Sequence, residues 1–163
     1  MTNFTATFSK ICYIGIKRCL DKGKVNYSRF SIVQSSDLKE RLEEKKLVRE
    51  EVTIFSVDAI NMYPSIKIAT SKKAVRFFAR TLTTATKNTI NLCLDLIRFG
   101  MSSTLICFNG EYCEYYGGEK VEQGLVIGGY ELAFLANLVA SYLFEKDKAH
   151  FYLTIYHGIY RDD

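Results

Sequence analysis

Three aspartates are the residues of this chain best suited to chemistry. Asp58 closes an apolar, β-branched run, Val52-Thr53-Ile54-Phe55-Ser56-Val57. Asp162 and Asp163 come more than a hundred residues later, after a second alternating run, Phe151 to Tyr156. Taken singly, an aspartate after a strand is usually a turn residue. Taken together, the three fit a two-metal site. Two hard cations about 3.5–4 Å apart need several carboxylate oxygens held on rigid elements. Magnesium takes oxygen ligands and keeps waters, so two or three aspartates suffice. One ion would lower the pKa of an attacking hydroxyl, and the other would neutralise charge on a triphosphate and its leaving pyrophosphate. Strands leading to Asp58 and to Asp162, set side by side in one sheet, would supply the ligands.

The residues around the aspartates carry a resemblance. Phe55-Ser56-Val57-Asp58-Ala59-Ile60-Asn61-Met62-Tyr63 resembles the first palm motif of reverse transcriptases, an apolar strand, an aspartate and an aromatic five residues on. Gln123-Gly124-Leu125-Val126-Ile127-Gly128-Gly129, continuing to Ala136-Asn137-Leu138, resembles their second motif. Tyr160-Arg161-Asp162-Asp163 resembles their third, the Y-x-D-D turn. The order is that of the family, and the spacing from Gly124 through Gly128 to Asn137 is most similar to Penelope-like retroelement enzymes. The resemblance covers Ser35 to Asp163.

It implies an RNA-directed DNA polymerase working with two magnesium ions, for which manganese could substitute. Asp58 and Asp162 would ligate metal, and Asp163 would be a third carboxylate at the same site. Ala59 would offer its carbonyl at the nucleotide. Tyr63 would be a steric gate whose ring excludes a ribose 2′-hydroxyl. Gln123 and Gly124 would line the incoming nucleotide, glycine allowing close backbone approach. Asn137 would brace the motif by a hydrogen bond. Lys72, Lys73, Arg76 and Arg80 are candidate phosphate contacts just after the first motif, together with Lys67. The expected partners are an RNA or DNA template with primer, and deoxynucleoside triphosphates.

The chain departs from the family in three places. Gly129-Tyr130 stands where serine-proline is usual. Pro64 follows the gate, and Tyr63-Pro64-Ser65-Ile66 also resembles the first motif of family-B DNA polymerases, which is one alternative. A non-catalytic nucleic-acid-binding remnant of a retroelement polymerase is another. The chain also stops at the second aspartate of its Y-x-D-D motif, so a truncated, weakly active fragment is expected.

The elements that would position these residues follow from periodicity. Phe4, Phe8, Ile11, Gly15 and Cys19 recur at helical spacing and predict a helix from Phe4 to Leu20, ended near Gly23. Ser35-Ser36-Asp37 would cap a charged helix from Leu38 to Leu47. Further helices are expected over Ile68 to Arg80, Lys87 to Phe99 and Tyr130 to Phe144. Asn109-Gly110 predicts a two-residue hairpin turn pairing Phe108 with Glu111, Cys107 with Tyr112 and Ile106 with Cys113. Strands and helices without regular alternation predict an α+β fold, a partial polymerase palm with an antiparallel sheet packed on helices. Residues 1–50 would be a fingers-like helical segment and residues 51–163 the partial palm.

Composition limits the alternatives. The chain has 163 residues, 48% hydrophobic and 25% charged, which suits one folded domain. It has no apolar stretch long enough for a bilayer and no signal-peptide start, so an intracellular protein, nuclear or cytoplasmic, is expected. Five cysteines without C-x-x-C spacing point to reduced thiols. His150 and His157 are the only histidines, too few for a zinc set. The net charge of +4 is uneven: residues 1–50 carry +5, residues 51–110 carry +4 and residues 111–163 carry −5. A basic first two-thirds suits a polyanion. An uncovered sheet edge would also allow an oligomer.

Overall fold

A computed structural model describes residues 4–29, 31–32, 34–44, 56, 58–102, 105–114, 125, 130–147 and 158–160. Helix α1 spans Phe4–Lys22. Its buried stripe is Cys12, Ile16 and Leu20, spaced four apart; of the expected residues, Phe8 and Cys19 pack at its edge, partly buried. The predicted face is therefore rotated by about one position, and Ile11 is 61% exposed. The helix ends in a Schellman turn. The Val25 amide donates to the Leu20 carbonyl at 3.1 Å and the Lys24 amide to the Asp21 carbonyl at 2.9 Å. The left-handed residue there is Lys24, with φ 51°. Gly23 serves a different need, since a Cβ on it would lie 2.1 Å from the Leu82 Cδ2.

Strand β1, Ser31–Ile32, leads to helix α2, Ser35–Glu44. The Asp37 carboxylate accepts the Gln34 amide at 3.1 Å, closing the first turn. Arg41 on α2 donates to the Ser31 carbonyl at 2.9 Å and ties this helix to β1. Helix α3 is one turn, Met62–Ser65. Pro64 fits because a first-turn amide needs no partner within the helix. Helix α4, Ile68–Phe78, runs into a 3-10 turn over Ala79–Thr81 and then into α5, Thr84–Ser102. Ile90, Leu94 and Ile97 of α5 are buried and Cys93 is half-buried, as their spacing predicts. Helix α6 is Leu132–Lys146 and buries Leu135, Ala136, Leu138 and Val139. Leu143, in the last turn, is 44% exposed.

Helix faces make the core. α1 packs on α5, and α4 packs on α6. The central cluster includes Ile16, Leu20, Val75, Phe78, Leu94 and Leu135. Edge-on rings extend it, with Tyr13 and Tyr27 against Phe134 and Phe77 against Tyr142.

The α+β expectation is overturned. The described residues are mostly helical, and their strands form only two short ribbons. One is a parallel pair, β1 with β4 (Ile159–Tyr160), two residues each. The other is the antiparallel hairpin of β2, Leu105–Phe108, and β3, Glu111–Glu114. Its register matches the predicted one, with Asn109 and Gly110 at φ 51° and 82° as a type I′ turn requires. No larger sheet packs on helices among the described residues. The physical reason is that two-residue and four-residue strands cannot bury a face, whereas helices of 19, 11, 19 and 15 residues can. The predicted strand before Asp58 is not seen at Ser56, which has no regular structure; residues 52–55 and 57 lie outside the described set. So do residues 151–156.

Candidate functional site

The segment after Asp58 is a turn leading into α3. Asp58 and Ala59 are exposed and have no regular secondary structure, and Ile60 is 83% exposed. Asn61 then adopts the left-handed conformation, with φ 50° and ψ 42°. Asparagine tolerates this region better than most side chains. The reversal starts α3, where the Ser65 amide donates to the Asn61 carbonyl at 3.1 Å. Tyr63 is half-buried, its ring packed against the core cluster.

Leu125 docks onto this turn. Its amide is shared between two carbonyls, that of Tyr63 and that of Ile66, each at 3.1 Å. Its side chain is 4% exposed and lies in the core cluster. Leu125 is thereby fixed against the backbone of Tyr63 and Ile66. Gln123 and Gly124 lie outside the described residues, as do Asp162 and Asp163. Tyr160 is described and pairs with Ile32, through strand β4. The juxtaposition of Asp58 with the terminal aspartates thus lies outside what is described. Among the described residues no three histidine, cysteine or acidic groups form a metal cluster. Asn137 is half-buried on α6 and makes no side-chain hydrogen bond to the described residues.

The basic residues of α4 fall into distinct environments. Lys72 forms an ion pair with Asp95 of α5. Lys72, beside it, holds the Asp95 carboxyl below the usual carboxylate range, with the charges of Arg76 and Arg98 assisting. Arg76 donates through Nε to the Asn91 Oδ1 at 3.0 Å. The Arg80 guanidinium lies over the Phe77 ring, 4.4 Å from its centroid. Lys73 is exposed. The spacing of Lys72 and Arg76 puts them on one face, but the helix they meet was not predictable from that spacing alone.

Two clusters escaped sequence reasoning. Glu131, just before α6, is 6% exposed and accepts a hydrogen bond from the Ser9 hydroxyl of α1. Beside it the Lys10 ammonium lies 4.9 Å over the Tyr130 ring. At the α1–α5 contact, Gly15 leaves room for the Cys93 sulfur, which would be 3.3 Å from a Cβ there. Burial pushes the Cys12 thiol up to about 11, and the neighbouring Cys93 thiol adds to the shift. Burial raises Cys93 as well. These are packed, protonated thiols, poor nucleophiles near neutral pH.

No protein-family model, curated protein or solved structure matches the chain. Among the described residues no helix is long and apolar enough to cross a membrane.

Proposed function

We propose that this chain serves templated nucleotidyl transfer of the reverse-transcriptase type, adding deoxynucleotides to a primer. The docking of Leu125 on Tyr63 and Ile66 carries the reading. It holds together two segments, distant in sequence, that the resemblance requires at one nucleotide. An exposed carboxylate on a turn, Asp58, is a hard oxygen donor of the kind magnesium takes. Asp58, Asp162 and Asp163 would hold the ions, which when bound activate the 3′-hydroxyl and neutralise the pyrophosphate. Ala59 follows on the same turn and Tyr63 on α3, with Tyr63 as the gate against ribonucleotides. Gln123 and Gly124, next to Leu125 in sequence, would complete the nucleotide contact.

Primer extension on an RNA template with magnesium and deoxynucleotides tests this reading. Asp58→Asn should lower extension at least about 100-fold, the scale of losing one electrostatic stabiliser of the transition state. Extension that survives the substitution would remove Asp58 from the chemistry.

A second reading is binding of nucleic acid without catalysis. The α4–α5 hairpin favours it, since Ile68 to Ser102 contains six basic residues and one acid, Asp95. Salt-sensitive binding to a primer–template with no metal-dependent extension would select it.

A further inference from the structure

Three of the five cysteines lie at the seam between α1 and α5. Gly15 of α1 stands against the Cys93 sulfur, and Gly23, just past α1, stands against Leu82, just before α5. The two helices therefore run antiparallel, and Gly15, having no side chain, lets them approach closely. Cys12 lies three residues before Gly15 and Cys19 four residues after it, so all three share one face of α1. Cys12 is buried, whereas Cys19 and Cys93 are half-buried, and all three are free thiols. The Cys12 thiol donates a hydrogen bond to the Cys93 sulfur, which puts the two in contact across the seam. A sulfur–sulfur hydrogen bond is longer than a disulfide by about 1.5–2 Å, a gap that side-chain rotation can close. Cys19 acts on Cys93 through its charge. The hydrogen bond thus selects Cys12 as the partner of Cys93.

We propose that Cys12 and Cys93 form a disulfide between α1 and α5 when the chain meets hydrogen peroxide. Cys93, the more accessible of the two, reacts first. Its thiolate attacks one peroxide oxygen, the O–O bond breaks, and the departing hydroxide takes up a proton to become water. Cys93 is then a sulfenic acid. The Cys12 sulfur attacks the Cys93 sulfur, the S–O bond breaks, and a second water leaves with the Cys12 proton. Two thiols and one peroxide give one disulfide and two waters. The surroundings support this order. Burial raises both thiols and the Glu131 charge adds to the shift at Cys12, whereas the hydrogen bond from Cys12 opposes the rise at Cys93. Thiolate is scarce near neutral pH, so the pair answers sustained peroxide slowly and is otherwise reduced. The bond would join positions 81 residues apart, a long loop whose closure restricts the unfolded chain. The proposal stands apart from the nucleotidyl-transfer reading.

The test treats the whole chain with hydrogen peroxide, blocks the remaining thiols with N-ethylmaleimide, digests with trypsin without reductant and maps linked peptides by mass. Trypsin leaves Cys12, Cys19 and Cys93 in separate peptides, residues 11–17, 19–22 and 88–98. A linked pair of 11–17 with 88–98, from monomeric protein, is expected. The oxidised chain should unfold about 5–15 °C higher, and a dithiol reductant should reverse the shift. In Cys12→Ala the link should vanish, and a 1,3-diketone should trap the Cys93 sulfenic acid. Linkage of 88–98 to 19–22, or to the peptide that holds Cys107 and Cys113, in place of 11–17 would overturn the pairing. So would linkage found only between chains. A lowered unfolding temperature of the linked chain would show that the helices must part to form the bond, against the proposal. The three methionines report whether oxidant reached the protein. Methionine sulfoxide with no linked cysteine pair would overturn the site.

Discussion

Asp58 is exposed, and the backbone reverses direction three residues later at Asn61. A carboxylate so placed contributes little to folding, so Asp58→Asn should change stability by no more than about 0.5 kcal/mol while removing extension. Equal melting temperatures for the two proteins would check the first half. Tyr63 differs, because its ring leans on the core cluster. Tyr63→Val should raise ribonucleotide incorporation relative to deoxynucleotide by at least about tenfold, with some loss of stability from the removed ring. An unaltered preference, measured in competition between the two nucleotide types, would take the gate away from Tyr63. Asp58 and Tyr63 are proposed from a motif, a local pattern of side chains. The docking of Leu125 was not legible in that way, because it is made by a backbone amide that any residue but proline carries. Glu131 was hidden for a related reason: its partner, Ser9, is 122 residues away.

Helices were read well where one face is apolar and less well where it is not. The 3.6-residue period located α1, α4, α5 and α6. The start of α5 was expected at Lys87 but lies at Thr84, since Thr84-Ala85-Thr86 has no apolar repeat. The missed signal is a cap. The Thr83 Oγ1 accepts the Thr86 amide at 3.4 Å, the N-cap bond to the third helical residue. Thr83→Ala should therefore cost about 1 kcal/mol, readable as a lowered midpoint in urea denaturation. The antiparallel sheet packed on helices was misjudged because β-branched composition measures fit to a half-buried sheet and not the existence of one. The hairpin register was legible because Asn-Gly fixes the turn by itself. The α4–α5 contact also makes a pH prediction. Asp95 is held below the ordinary carboxylate range by Lys72, so the pair stabilises the fold above that range. This contribution is lost as pH falls through the lowered value. Asp95→Asn should lower the melting temperature at neutral pH, and the gap from the parent protein should close in acid. A gap that stays constant from neutral to acid pH would show that the pair does not act through ionisation.

The whole molecule is held by helix-on-helix packing. Leu94 on α5 is 0% exposed and belongs to the central cluster. Leu94→Ala should cost about 2–5 kcal/mol, the range for a buried leucine truncated in a core that relaxes only partly. Chemical denaturation of the two proteins measures it, and a cost under about 1 kcal/mol would mean the core collapses around the deletion. The charge arrangement belongs to this scale too. Residues 51–110 carry net +4 and residues 111–163 net −5, so the basic α4–α5 hairpin is followed in sequence by an acidic stretch. Composition gave that asymmetry, but only packing aligned Lys72 and Arg76 along one seam. We propose templated synthesis around Asp58, and magnesium-dependent primer extension on an RNA template, run with the parent chain and with Asp58→Asn, tests it. Weak deoxynucleotide addition by the parent and its loss in the variant are expected. Extension of equal rate in both, or duplex binding by the parent with no addition at any magnesium concentration, would contradict the proposal.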